Sequence, residues 1–314
     1  MALDCAATRY PEPTAIVKPA PTLTSRARGA LLGHAVGNAL GIPTEFLGTP
    51  DRIADAFPGG LRDVIRSDTG ESPWDDDVAM ALIVAEELLD PEPDPREMAR
   101  RWVRWMKEDG RGIGVWTRIA LEHFDRHDAP IRDAQGQAGN GAVMRTIPVA
   151  LRTFRHPQAL LSAACGIAAL THPDPRCVWS AAAVTVACGQ LLQGRREFLP
   201  DVIEALQVND APAEVLEAVR RVPRERREDL PITGPAAGYT VHCMEIALWA
   251  AWHEASLEDA VVWLVNAGGD TDTNAAVAGG LLGARDGEAA VPRRWIEAVA
   301  RQDHIGHLAE RLIA

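Results

Sequence analysis

The chain has 314 residues, 47% of them hydrophobic, which is enough apolar material for a sizeable core and excludes a chain disordered throughout. Its 44 acidic and 32 basic side chains leave a formal charge of −12 at neutral pH, so the average surface repels phosphate polymers and anionic lipid headgroups; a generic nucleic-acid or membrane-surface binder is disfavoured, while a local basic pocket is not. Five widely spaced cysteines (Cys5, Cys165, Cys177, Cys188, Cys243) form no C-x-x-C pair and read as buried thiols of a reducing compartment.

Residues 1 to 24 carry Pro11, Pro13, Pro19 and Pro21 among Ala and Thr, a composition that buries little surface, and they are expected to be a flexible tail. The remaining residues, 25–314, are expected to form one domain. The N-terminus shows no secretory signal pattern, which makes the cytoplasm the expected compartment. From Arg26 onward the apolar residues recur at helical spacing, and aromatic residues make up only 5% of the chain, so the fold class is all-α. A helix is predicted from Asp76 through Leu89, ended by Pro91, Pro93 and Pro95. Met98, Trp102, Trp105 and Met106 mark an amphipathic helix closed by Gly110, its tryptophans facing the core. Further helices are predicted at Pro157 to Leu170, Val178 to Leu192, Val202 to Val208, Ala213 to Val222, Cys243 to Glu254, Leu257 to Asn266, Asn274 to Leu282 and Pro292 to His307 or beyond. The most apolar of these fall short of the roughly 20 uninterrupted apolar residues that span a bilayer, so no membrane partner is expected. The stretch Arg220 to Pro231 reads as a solvated loop. His304 and His307, three apart near the C-terminus, lack a defined partner ligand and read as a solvated terminal helix, not a zinc site.

Two acidic clusters each open a predicted helix: Asp75-Asp76-Asp77 and Asp270-Thr271-Asp272-Thr273. One aspartate at a helix start is explained by capping, worth about 0.5 to 2 kcal/mol. Three in a row exceed that role, because the others repel one another at a cost that grows with burial. Something positive should sit among them. Oxygen ligands without His or Cys suit hard cations, and Asp75, Asp76, Asp77, Asp270, Asp272 and Thr273 are ample for two Mg²⁺ or Mn²⁺ ions, provided segments about two hundred residues apart meet in space.

Six motifs, in this order, resemble the ADP-ribosylglycohydrolase family: A-R-G-A-L-L-G-H-A-V-G-N-A-L-G-I-P-T-E-F (Ala27 to Phe46), W-D-D-D-V-A-M (Trp74 to Met80), G-N-G-A-V-M-R (Gly139 to Arg145), T-H-P-D-P (Thr171 to Pro175), G-Y-T-V (Gly238 to Val241) and A-G-G-D-T-D-T-N (Ala267 to Asn274). The resemblance implies a single-domain orthogonal helical bundle and a binuclear Mg²⁺ or Mn²⁺ centre on the six residues just named, Asp76 and Asp272 also serving catalysis. It places Glu45 as a catalytic or gating acid near the distal ribose, and Gly139, Asn140, Gly141 and Arg145 on the loop around the phosphates and proximal ribose. His172 and Tyr239 fall near the nucleotide. The implied function is hydrolysis of the glycosidic bond of an ADP-ribosylated protein, arginine being the expected acceptor, or of a small-molecule ADP-ribose conjugate, with nucleic acid entering only as a modified acceptor. Serine, a metabolite and an ADP-ribose polymer stay open as acceptors, and a nucleotide phosphohydrolase or a non-catalytic ADP-ribose-binding module are the competing readings. The chain departs from the family pattern at Asp75 and Val78, where a hydroxyl residue is usual, and at Asn38, where aspartate is usual; the carboxylate gained at Asp75 and the one missing at Asn38 are expected to offset one another in part while shifting metal position or preference.

Overall fold

The computed structural model describes residues 20–66, 68, 70, 73–134 and 136–314. Fifteen α-helices follow one another: α1 (Leu23–Gly41), α2 (Pro50–Ala56), α3 (Asp76–Glu87), α4 (Pro95–Glu108), α5 (Val115–His127), α6 (Ile147–Thr153), α7 (Pro157–Ala169), α8 (Pro175–Leu192), α9 (Leu199–Val208), α10 (Ala213–Arg221), α11 (Thr240–His253), α12 (Leu257–Asn266), α13 (Thr271–Asp286), α14 (Arg293–Ile296) and α15 (Gln302–Ile313). Two 3-10 turns, Ile42–Leu47 and Asn140–Arg145, matter for the site. No strand occurs among the described residues, and the fold is all-α. Most helices start where sequence chemistry dictates. The side chains of Thr22, Asp94, Asp174 and Ser256 accept from the N–H groups of Ser25, Arg96, Arg176 and Asp259, and α4, α7 and α8 begin on proline.

At the centre, α1 and α13 run antiparallel in backbone contact. Gly29, Gly33, Gly37 and Gly41, spaced four apart and so on one face of α1, lie against Gly283, Gly279, Ala275 and Asp272 in turn. A Cβ on Gly29 would stand 2.5 Å from the Gly283 carbonyl oxygen, and one on Gly41 would stand 2.5 Å from the Asp272 nitrogen. Only glycine permits this approach, and it fixes the start of α13 beside the end of α1. Around this pair, α8 and α11 are buried on nearly every side, and Trp102 and Trp295 fill the core. Trp102 donates to the Met80 carbonyl, so the amphipathic helix packs as its spacing predicts, and Trp105 is partly buried against the same core.

Three expectations are adjusted. Of the predicted tail, residues 1–19 lie outside the described residues, as does Cys5, whereas Leu23 and Thr24 already belong to α1 because Thr22 caps it. The last predicted helix, Pro292 to His307 or beyond, is two helices: the first stops at Ile296, and Arg301, in a left-handed conformation (φ 59°), stands at the N-cap of the second. Burial of Trp295, whose indole donates to the Arg62 carbonyl, holds the first piece at its own angle. The stretch Arg220 to Pro231 starts inside α10, carries a 3-10 turn and buries Leu230. Cys177, Cys188 and Cys243 are buried free thiols and Cys165 is half-buried.

Candidate active site

The glycine seam delivers the second acidic cluster to the first. Asp75 stands at the N-cap of α3 and Asp270 at the N-cap of α13, yet neither side chain caps its helix. The carboxylates turn toward one another. One ligand oxygen from each of Asp75, Asp76 and Asp77 lies within a 4.8 Å group, and the same holds for Glu45, Asp75 and Asp272. Glu45, Asp76, Asp270, Asp272 and Thr273 line a pocket of about 190 Å³ whose other walls come from Gly112–Thr117, the Gly139–Gly141 turn, Met144 and His172. No Lys or Arg is among its lining residues. Larger grooves, such as one of about 960 Å³ between the Pro91–Pro95 segment and α7 and one of about 490 Å³ where Glu217, Glu225 and Asp229 lie among three arginines, mix their acids with cationic side chains, so chemistry points to the small pocket.

Neighbouring polar groups hold the carboxylates in place. The Asn38 side-chain amide donates to Asp75 Oδ1 (2.6 Å) and Asp77 Oδ2 (3.1 Å), while its carbonyl accepts from the Asp75 backbone N–H (3.3 Å). Thr273 Oγ1 donates to Asp77 Oδ2 (3.4 Å) and Asn140 Nδ2 to Asp270 Oδ2 (2.8 Å). That leaves Asp77 Oδ1, Asp270 Oδ1 and Asp272 Oδ1 buried without a hydrogen-bond partner. Three orphaned, inward-facing oxygens in one cluster fit a hard divalent cation, because neither a capping role nor a salt bridge uses them. Burial, followed by mutual repulsion, pushes the Asp76, Asp77 and Asp272 carboxyls well above their ordinary range. Asp75 is raised chiefly by burial, with its bonds from Asn38 working against the shift. Burial also pushes Glu45 up to about 7, assisted by the charges of Asp270 and Asp75.

The whole chain matches proteins of one kind. The ADP-ribosylglycohydrolase family profile covers residues 19–314. The chain belongs to the ADP-ribosylglycohydrolase family. It is 30% identical to an ADP-ribosylarginine hydrolase, Tri1, of Serratia proteamaculans over 91% of this chain and 78% of that one. It is also 30% identical to the ADP-ribosyl-[dinitrogen reductase] glycohydrolase of Rhodospirillum rubrum, over 88% and 90% of the two chains. A solved structure described as an ADP-ribosylglycohydrolase-related protein complex superposes with a TM-score of 0.77 at 31% identity, covering 93% of this chain and 98% of that chain. As a member of this family the chain is an enzyme, an ADP-ribosyl hydrolase.

Within this ADP-ribosylglycohydrolase, the sequence-predicted residues divide into two groups. Asp75, Asp76, Asp77, Asp270, Asp272, Thr273 and Glu45 converge, and Gly139, Asn140 and Gly141 form the adjoining wall. Arg145 does not face the pocket. Its guanidinium is 0% exposed, stacked over Trp102 at 4.4 Å, and donates to the Gly141 and Ile167 carbonyls and to Thr171 Oγ1 (2.6 Å). It braces the Gly139–Gly141 turn from beneath, and burial lowers its pKa to about 9. His172 is buried and reaches the pocket with its ring edge. Thr171 Oγ1 accepts from Arg145 and lies in hydrogen-bond contact with His172 Nδ1 (2.7 Å), which fixes the ring's orientation. Burial and Arg145 hold that imidazole neutral, with a pKa of about 3. Tyr239 lies behind the turn, pairing with Gly139 through its backbone, while its hydroxyl donates to Glu214 (2.7 Å) and accepts from Arg176 (3.4 Å). His304 contacts Glu86 on the surface, away from the pocket.

Sequence reasoning missed the wall supplied by the Gly110, Gly112, Gly114 repeat. Gly112 (φ +73°) lies so close to the carboxylates that a Cβ there would stand 2.7 Å from Asp76 Oδ1 and 2.8 Å from Asp75 Oδ2. The alternating glycines were the available signal, and only Gly110 was read, as a helix stop. Among the described residues no helix is long and apolar enough to cross a membrane.

Proposed function

We propose that this chain is a divalent-cation-dependent hydrolase that frees ADP-ribose from the arginine side chain of a modified protein. The observation that carries the reading is the pair of aspartates at the α3 and α13 N-caps that forgo capping and join the other carboxylates in one pocket with unpartnered oxygens. Asp75, Asp76, Asp77, Asp270, Asp272 and Thr273 would hold two Mg²⁺ or Mn²⁺ ions, which supply concentrated positive charge to orient sugar hydroxyls and stabilise negative charge.

The chain's own residues account for the rest. A pocket of about 190 Å³ is below the size usual for a whole ligand, so it takes the sugar end of the substrate and leaves the acceptor outside. The Gly139–Gly141 turn, braced by Arg145, gives that sugar a fixed wall, and Asn140 holds Asp270 in place. Glu45, which lines the pocket beside Asp75 and Asp272, is the carboxyl placed to pass a proton to the departing acceptor nitrogen. That proton leaves with the guanidine as the bond from the anomeric carbon to nitrogen breaks; water adds its oxygen at that carbon, and the proton water gives up returns to the Glu45 carboxylate. A cationic guanidinium acceptor is also electrostatically matched to an acidic pocket without Lys or Arg. The name of the Serratia relative points to arginine as the acceptor, and that of the Rhodospirillum relative to a modified protein.

The test is to incubate the purified chain with ADP-ribosyl-arginine on protein, with Mg²⁺, with Mn²⁺ and with chelator, and to analyse the products. Release of ADP-ribose only with a divalent ion supports the proposal. Release of phosphate or AMP would instead assign a phosphohydrolase, and tight ADP-ribose binding without turnover would assign a binding module.

A further inference from the structure

Among the described residues, the large hydrophobic side chains exposed to solvent are Phe46, Ile65, Val115, Ile119 and Val208. Three of these five lie on the two segments that bound the acidic pocket. Phe46, 85% exposed, directly follows Glu45; Val115, 78% exposed, lines the pocket; Ile119, 43% exposed, stands one helical turn further along the same face of α5. Apolar surface concentrated at the mouth of a charged pocket marks a contact surface, whereas scattered single residues do not.

Both segments are held rigidly. Thr44 anchors the 3-10 turn that carries Phe46 by donating to the Gly41 carbonyl (2.9 Å) and meeting Thr271 Oγ1 (3.0 Å). Trp116 anchors the start of α5 by donating to the Thr171 carbonyl (2.8 Å). An aromatic side chain so exposed buries little against this fold and offers a partner large contact area.

We propose that Phe46, with Val115 and Ile119, forms an apolar rim that docks the polypeptide bearing the ADP-ribosyl group. The proposal rests on the hydrolase reading above. Glu45 lines the pocket and the next side chain on the same turn, Phe46, stands out in solvent, so a substrate portion that the pocket does not hold passes Phe46. The pocket is too small for more than the sugar end, so the acceptor's own chain lies across this rim. The rim therefore discriminates a modified protein from a modified free amino acid, and favours acceptor arginines flanked by apolar residues.

The experiment compares wild type with Phe46→Ala and, separately, Ile119→Ser, using ADP-ribosylated protein, free ADP-ribosyl-arginine and the affinity for free ADP-ribose. The expected result is a loss in kcat/KM of about fivefold or more on protein, carried by KM, for Phe46→Ala and a smaller loss for Ile119→Ser. Turnover of free ADP-ribosyl-arginine, ADP-ribose affinity and the melting midpoint stay unchanged. Equal losses on both substrates, or no loss on either, overturn the rim. A fall in ADP-ribose affinity does so as well, by assigning these side chains to the nucleotide, and a dimer that Phe46→Ala disperses assigns them to a second copy. If wild type hydrolyses neither substrate, the hydrolase reading itself has failed, an outcome visible before any variant is made.

Discussion

The seam between α1 and α13 and the pocket at its end are direct neighbours with opposite physics. Along the seam glycines face two glycines and an alanine at backbone contact, and Arg26 and Thr271 bond to backbone carbonyls of the facing helix. At the end of the same two helices, where Gly41 meets Asp272, carboxylates crowd together with oxygens that nothing in the chain satisfies. Elsewhere the molecule handles a buried acid quite differently: Glu245, on α11, receives two hydrogen bonds from Arg221. The chain therefore has the means to neutralise buried carboxylates and does not use them in the pocket. Close-packed backbone provides the rigidity that lets the unfavourable cluster persist, and a bound cation would offset its repulsion.

The comparison breaks most decisively at the seam. Gly37→Leu forces a side chain into the Ala275 carbonyl, where even a Cβ does not fit. We expect a loss of about 3 kcal/mol or more, read as a fall in the denaturant midpoint, together with loss of activity because α13 no longer presents Asp272. A variant of wild-type stability would mean that the two helices separate easily and that the seam does not position the site.

At the pocket the expected effect falls on chemistry. Asp272→Asn and Asp76→Asn should each cut release of ADP-ribose about a hundredfold or more. Measured in chelator, neither should melt lower than wild type, since each removes a repelling carboxylate from a crowded cluster. Full activity in either variant would take that residue out of the mechanism.

Much of this was legible in the sequence, and the reasons differ by region. Helix periodicity located almost every element because apolar faces must be buried, and both acidic clusters stood out because capping needs one aspartate, not three. What the sequence left undecided was long-range contact. The Gly29, Gly33, Gly37, Gly41 spacing is visible as letters, but its partner on α13 is not, so the meeting of Asp77 with Asp272 stayed a condition. Arg145 misled for a related reason. A motif shows that an arginine is required beside the turn, without showing whether its guanidinium points outward to a phosphate or inward to Trp102 and the Gly141 carbonyl. The break at Arg301 gave no signal, since arginine ordinarily continues a helix.

Asn38 sharpens the comparison by about 1 to 2 kcal/mol, a like-charge effect at hydrogen-bond distance in a half-screened site. Its amide lies 2.6 Å from Asp75 Oδ1 and 3.1 Å from Asp77 Oδ2, so Asn38→Asp replaces a donor with a further carboxylate. Stability in chelator should fall, and Asp75→Thr should recover part of that loss in the double variant, because the two side chains touch. Strictly additive effects on melting and on Mn²⁺ titration would show that the two departures from the family pattern do not compensate.

The smallest expected effect is a slope against pH, and its sign follows from the proton count. The folded chain without cations holds protons on carboxyls that the unfolded chain has released: Glu45 rises from 4.5 to about 7, and Asp76, Asp77 and Asp272 are raised as well. More protons bound in the folded state means stability falls as pH rises between the unfolded and folded values. His34 and His172 act in the opposite sense below 6.5, because burial holds them neutral, with pKa values of about 4 and about 3, while the unfolded chain protonates them. Their contribution is lost as pH falls below 6.5, so the carboxyl cluster is read cleanly only above that value. In chelator the melting midpoint should therefore decline from pH 6.5 to about pH 8, and with saturating Mn²⁺ it should hold or rise, since cation binding favours the deprotonated carboxylates. A midpoint that climbs with pH in chelator would mean that a positive group of the chain already neutralises the cluster, and the contrast between seam and pocket would disappear.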